Sequence, residues 1–122
     1  MFVCLNLALT TIVFAGARVI TRVPSAPFMV EVTDIWRDGC QLKYQRPIYD
    51  GGTPIIGYII ECRNYKWIWL EWKLVGTSKT LQFTVDKMQE GSTVEFRVKT
   101  VNGTGESEPS QPSALVTFKD FQ

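Results

Sequence analysis

The sequence contains no histidine, and its thirteen Lys and Arg against twelve Asp and Glu leave a formal charge of only +1. Without histidine the commonest general base is missing, so neither a Ser-His nor a Cys-His nucleophile can be assembled. Near-balanced charge removes the positive field on which nucleic-acid affinity rests. Cysteine is scarce as well. Cys4, Cys40 and Cys62 stand far apart, without the paired close spacing of a zinc site. There is no Gly-x-x-x-x-Gly-Lys loop and no cluster of carboxylates, and the longest apolar run is too short to cross a bilayer comfortably. These absences predict a module that is not an enzyme. They predict no catalytic residue, cofactor, metal or small-molecule substrate, no nucleic-acid partner and no stable membrane span.

What is present is β-rich. At 122 residues and 13.9 kDa there is room for one domain with a short tail. A domain of about 100 residues buries roughly two thirds of its unfolded-chain surface, enough for a core without staples. The chain is organised around Asp50-Gly51-Gly52-Thr53-Pro54-Ile55-Ile56-Gly57-Tyr58-Ile59-Ile60-Glu61-Cys62. Its Asp-Gly-Gly start is a turn, since glycine reaches positive φ without a Cβ penalty, and Pro54 pushes Thr53 towards extended geometry. From Gly57 onward Tyr58, Ile60 and Cys62 alternate with Ile59, Glu61 and Arg63, which predicts a half-buried strand.

Taken in order, residues 1–17 are apolar and end in Ala15-Gly16-Ala17, a small-x-small site, but no basic residue precedes the run. Three readings stand open: a signal peptide, a leader belonging to no folded unit, and an extra strand. The expected division is 1–22 as an apolar leader outside the fold, 23–120 as the domain, and 121–122 as the end of a linker. Pro24 and Pro27 keep the lead-in extended. Val30, Val32 and Ile35 mark a first strand, and Cys40, Leu42 and Tyr44 point inward from a second. In residues 64–75, Leu70, Trp72 and Leu74 share one face, while Trp67, Trp69, Glu71 and Lys73 share the other. Leu81, Phe83 and Val85 predict a further strand. Val94, Phe96, Val98 and Thr100 predict another, with Glu95, Arg97 and Lys99 turned outward. Asn102-Gly103-Thr104-Gly105 is a hairpin signal, and Ser113 to Lys119 closes the pattern. The expected core is Leu42, Tyr44, Tyr58, Ile60, Trp72, Leu81, Phe83, Phe96 and Val98. The expected fold class is all-β, an immunoglobulin-like two-sheet antiparallel sandwich of seven strands.

Over residues 24–120 the chain closely resembles a fibronectin type III module. The resemblance lies in Pro24 to Pro27, Leu42 to Pro47, Asp50 to Ile55, Gly57-Tyr58-Ile59-Ile60-Glu61, Trp72, Glu90-Gly91, Phe96-Arg97-Val98 and Asn102 to Ser110. The Asp-Gly-Gly-x-Pro-Ile loop followed by Gly-Tyr-Ile-x-Glu is most similar to modules of titin and twitchin, the giant muscle proteins. Two positions depart from the family. Tyr44 stands where a tryptophan is usual, and Val94 where a tyrosine would brace the corner after Glu90-Gly91. The resemblance implies a non-catalytic spacer and docking surface on the thick filament, in the cytoplasm at the sarcomere, with myosin or neighbouring modules as protein partners. A secreted adhesion or receptor module is the rival reading, although the Arg-Gly-Asp adhesion tripeptide is missing. A module flanking a kinase domain is a third.

Three residues form the candidate protein-binding patch: Trp67, Trp69 and Lys73, since aromatic and cationic side chains dominate interface hot spots. Against it stands the plainer expectation that these aromatics only cap the sheet edge. Asn102-Gly103-Thr104 is a formal glycosylation acceptor, meaningful only in a secreted chain, and the tight-turn reading of Asn-Gly accounts for it alone. Cys40 and Cys62 fall at one end of the sandwich, where a disulfide between them is the alternative, and free thiols packed as small hydrophobes are the expected reading. Glu61 with Arg97 or Lys99 reads as a solvated polar face contributing under about 1 kcal/mol per pair.

Overall fold

Alternating apolar and polar positions, punctuated by turn residues, become strands throughout the computed structural model, which describes residues 11–14 and 17–120. They are β1 (Thr11–Phe14), β2 (Ala17–Ile20), β3 (Phe28–Trp36), β4 (Gly39–Gln45), β5 (Ile55–Lys66), β6 (Ile68–Trp69), β7 (Lys73–Ser78), β8 (Gln82–Val85), β9 (Thr93–Asn102) and β10 (Val116–Thr117). All pairings are antiparallel. One layer is β3-β4-β8. The other is β10-β9-β5, with β6 and β7 both on the remaining edge of β5. Those two pieces act as one interrupted edge strand, so the architecture is the expected seven-strand sandwich.

The core fills from the inward-facing positions of both layers. Cys40, Leu42 and Tyr44 of β4 meet Tyr58, Ile60 and Cys62 of β5 and Val94, Phe96 and Val98 of β9, with Val85, Val116 and Phe118 completing it. Tyr44 substitutes for a larger ring by using its hydroxyl. The group donates to the Thr80 carbonyl at 2.8 Å, and the ring lies 5.1 Å from that of Tyr58. The corner at Glu90-Gly91 is braced without a tyrosine. Gly91 N–H reaches the Phe118 carbonyl at 2.8 Å, and the Ser92 hydroxyl donates to the Gln89 carbonyl at 2.7 Å. Val94 is then free to pack as plain core.

Three residues expected in the core are only half-buried: Trp72, Leu81 and Phe83. Leu81 and Phe83 still pack against the core from its side. Trp72 does not belong to it, and the cause is a break in register. No pairing holds 70–72, and a shift between Ile60 and Glu61 sets Leu74 opposite the outward-facing Glu61. Leu74 is consequently 68% exposed, and the parity that would have buried Trp72 fails.

At the amino-terminal side β1 and β2 pair with each other as a separate two-stranded sheet. The apolar residues 1–10, Cys4 among them, with Ala15, Gly16 and the 121–122 tail, lie outside the described residues. The boundary expected between Arg22 and Val23 is crossed by hydrogen bonds. Arg22 N–H donates to the Gly51 carbonyl at 2.8 Å, and the hydroxyls of Thr104 and Thr21 meet at 3.1 Å. Gly51, at φ 86°, is required here because a Cβ would run into the Arg22 carbonyl.

Candidate protein-docking face

The β5-β9 register places Glu61 opposite Arg97 and Arg63 opposite Glu95, all on the side away from the core. Arg63 brings Nε and Nη2 to the same Glu95 oxygen at 2.7 Å each. Arg97 Nε donates to Glu61 Oε1 at 2.6 Å, and Lys99 Nζ lies 3.5 Å from Glu61 Oε2 and 3.6 Å from Glu106 Oε1. The expected solvated ladder is instead partly roofed. The Arg63 guanidinium sits 4.5 Å from the Trp69 ring centroid and 4.7 Å from that of Trp72, and Arg97 lies 4.3 Å from Trp72. Tyr65 packs edge-on against Trp69 at 5.2 Å. Under this cover Glu95 is only 8% exposed. Each of the two arginines is thus held by a carboxylate and by the negative face of an indole at once. Arg63 and Glu95 are outer-face residues that the sequence reading did not single out, although the alternation of 61, 63, 95 and 97 carried the signal; Trp72, expected in the core, joins them there.

The three candidate binding residues do not share one face. Trp67 alone makes the turn between β5 and β6, where Lys66 pairs with Ile68. It takes φ 68° and is 92% exposed. A left-handed backbone at a bulky residue is strained, by about 1–3 kcal/mol. Trp69 is 36% exposed on the outer face and is more exposed than Trp72, as its position implied, but through the arginine clamp rather than through parity. Lys73 stands opposite the inward-facing Cys62, at the sheet edge.

Asn102 is 2% exposed and fully engaged. Its Nδ2 donates to the carbonyls of Arg22 and Asp50 at 2.7 and 2.8 Å, and its Oδ1 accepts from the N–H groups of Thr104 and Gly105 at 2.8 and 3.1 Å. The amide nitrogen that would carry a glycan is therefore the bolt joining three loops. Cys40 and Cys62 are free thiols, both buried. Burial, reinforced by the neighbouring Cys62, pushes Cys40 up to about 12. Burial also raises Cys62, against an opposing pull from Lys73. Both are inert hydrophobes at neutral pH. Among the described residues no group of three or more Cys, Asp or Glu could hold a metal, and no helix is long and apolar enough to cross a membrane.

The two-sheet sandwich agrees with the comparison to known proteins. The sequence model of the fibronectin type III domain matches residues 25–116. The chain belongs to the fibronectin type III family. It is 41% identical over 93 residues to human slow-type myosin-binding protein C, covering 74% of this chain and 8% of that protein. To the human cardiac type it is 37% identical over 94 residues, covering 75% of this chain and 7% of that protein. The crystal structure of titin domains A168–A170 superposes with a TM-score of 0.76 at 30% identity, over 85% of this chain and 37% of that one. The chain therefore spans at most about a seventh of the length of these curated relatives, 7% and 8% of the two human ones, and it is homologous to a structural and interaction module of sarcomeric proteins.

Proposed function

We propose that this chain is a non-catalytic module of a cytoplasmic, sarcomeric protein that holds spacing along the thick filament and docks on myosin through the β5–β6 hairpin. The observation that carries the reading is Trp67: a tryptophan almost wholly in water, on a strained backbone, at the tip of a rigid hairpin. Water contact and strain both cost stability, and the fold gains nothing in return. Such an outlier points to binding. Trp69, already braced by Tyr65 and Arg63, forms the base of the hairpin, so little side-chain entropy is lost when it is covered. Lys73 supplies a cation on the flank of the same edge strand. The similarity to myosin-binding protein C and titin supports myosin as the partner and the sarcomere as the place.

Co-sedimentation of the full 122-residue chain with filaments of purified myosin tests this. Trp67→Ala should weaken binding by about tenfold or more, as loss of a central aromatic anchor does, with an unchanged circular dichroism spectrum. Failure to pellet, or binding indifferent to both Trp67→Ala and Trp69→Ala, would overturn it.

A further inference from the structure

After β9 the chain reads Glu106-Ser107-Glu108-Pro109-Ser110-Gln111-Pro112-Ser113, and residues 107–115 form no strand. Every third residue is instead a serine fastened to β9 by two bonds. Ser107 N–H donates to the Thr100 carbonyl at 2.8 Å, while Thr100 N–H donates back to Ser107 Oγ at 2.9 Å. Ser110 repeats the pattern on Val98 at 2.9 and 3.0 Å, and Ser113 on Phe96 at 2.7 and 3.0 Å. All three serines are buried. Proline fixes φ at 109 and 112 and keeps Glu108 and Gln111 extended. A repeat of three residues per turn is that of a polyproline II helix.

Such a helix has three edges. The serine edge faces the sheet. The other two carry Glu108, Gln111 and Ala114, and Pro109, Pro112 and Leu115. Of these only Pro109 is half-buried; the rest are exposed, Leu115 by 59%. We propose that this segment is a preformed docking ridge for a proline-reading domain with an aromatic-lined groove, of the kind that accepts Pro-x-x-Pro. Such a groove receives a left-handed threefold helix on two of its edges. Glu108-Pro109 and Gln111-Pro112 are the two Xaa-Pro steps turned outward, and Ser110 is the residue turned away. Six hydrogen bonds to β9 already hold the shape, so the ordering cost that a free peptide meets on binding is absent. The charge of the groove follows too. Glu106 lies beside Lys99, whereas Glu108 has no ion pair among the described residues. A groove with a neutral or cationic rim fits Glu108, and an acidic rim is repelled.

The test is a titration of the full chain against a panel of isolated SH3 domains, half with acidic and half with neutral or basic rims beside the proline grooves. Saturable binding to members of the second half is expected. Pro112→Ala should weaken it about tenfold while lowering the melting temperature by only a few degrees, because Pro112 is exposed and donates no hydrogen bond, and only its restraint on the unfolded chain is lost. Glu108→Lys should move the preference to acidic rims. A synthetic peptide of residues 105–115 should bind more weakly than the folded chain. No binding across the panel, binding indifferent to Pro112→Ala, or a free peptide that binds as tightly as the folded chain would each overturn the proposal.

Discussion

Removing the Arg63 guanidinium should test whether the outer face is a structural unit or decoration. In Arg63→Met the aliphatic stem is roughly kept and the charge is lost. Two effects add. The contacts to the Trp69 and Trp72 rings, at 4.5 and 4.7 Å, are worth about 0.5–1 kcal/mol each at a partly exposed site. The larger effect is on Glu95, whose side chain is 10% exposed and whose described ion pair is with Arg63. Stranding a buried charge costs about 3–5 kcal/mol. Water can reach part of this carboxylate, so the lower end applies, and with the two ring contacts a total of about 4 kcal/mol is expected. Arg63→Met with Glu95→Leu removes both partners. The pair's desolvation cost then disappears with its attraction, so the double variant should lie within about 1 kcal/mol of wild type. Urea titrations followed by far-ultraviolet circular dichroism, with a common slope, give the four corners of the cycle. A single variant costing under 1 kcal/mol, or a double variant costing the sum of the singles, would refute the reasoning. Either result would mean that Glu95 is solvated well enough to stand alone.

Asn102→Ala deletes two donors and two acceptor contacts at a buried position. It should cost about 2–3 kcal/mol, read from the same denaturation curves, since the orphaned groups lose protein partners without gaining full hydration. Folded chain made in a secreting cell should carry no sugar at Asn102, as checked by intact mass. Stability should also fall in alkali: burial raises Cys40, Cys62, Tyr44 and Tyr58 in the folded state. Their contribution is present in full below the unfolded-state values, about 8.5 for thiols and 10 for phenols. It is lost as pH climbs towards the raised values, so urea midpoints should hold from pH 6 to 8 and drop between pH 9 and 11, less steeply in Cys40→Ala. Trp67→Gly should raise stability by about 0.5–1 kcal/mol through relief of the left-handed backbone, while abolishing the proposed docking.

Period-two patterns were legible wherever a strand had an unbroken ladder on at least one side. Cys40 and Leu42, Tyr58-Ile60-Cys62 and Val94-Phe96-Val98 each face a partner in register on at least one neighbouring strand, and Tyr44 continues the same face. Alternation therefore maps directly onto inside and outside. The reading failed at 70–74, where pairing lapses and then resumes with a shift. A bulge leaves no mark in composition, and here it falls beside a tryptophan, Trp72, that stacks on the arginines across the sheet. The charge ladder was visible as a parity, yet its burial was not, since the roof comes from a residue assigned to the opposite face. The serine bracket was likewise hidden. In sequence Ser-Glu-Pro-Ser-Gln-Pro-Ser reads as a loop, and only the spacing of three against β9 shows it to be an edge.

How the sheet edges and faces are closed decides where a partner can act. The edge made by β6 and β7 is interrupted at 70–72 and bulged at Val75, which defeats the addition of a continuous foreign strand. The free side of β9 is covered by the serine segment over Thr100, Val98 and Phe96. The face of β5 and β9 spends its charges internally, on pairs of 2.6 and 2.7 Å, so it offers an approaching protein little unbalanced charge. On this sheet backbone addition and simple charge matching are thereby both disfavoured. Among the exposed apolar groups that project from this sheet are the Trp67 tip and the proline ridge. A partner of this module must therefore bring a concave apolar surface, and its affinity should change little between low and moderate salt. A steep loss of binding with salt would place the contact on Lys66 and Lys73 instead, and the tip would then be an accident of the turn.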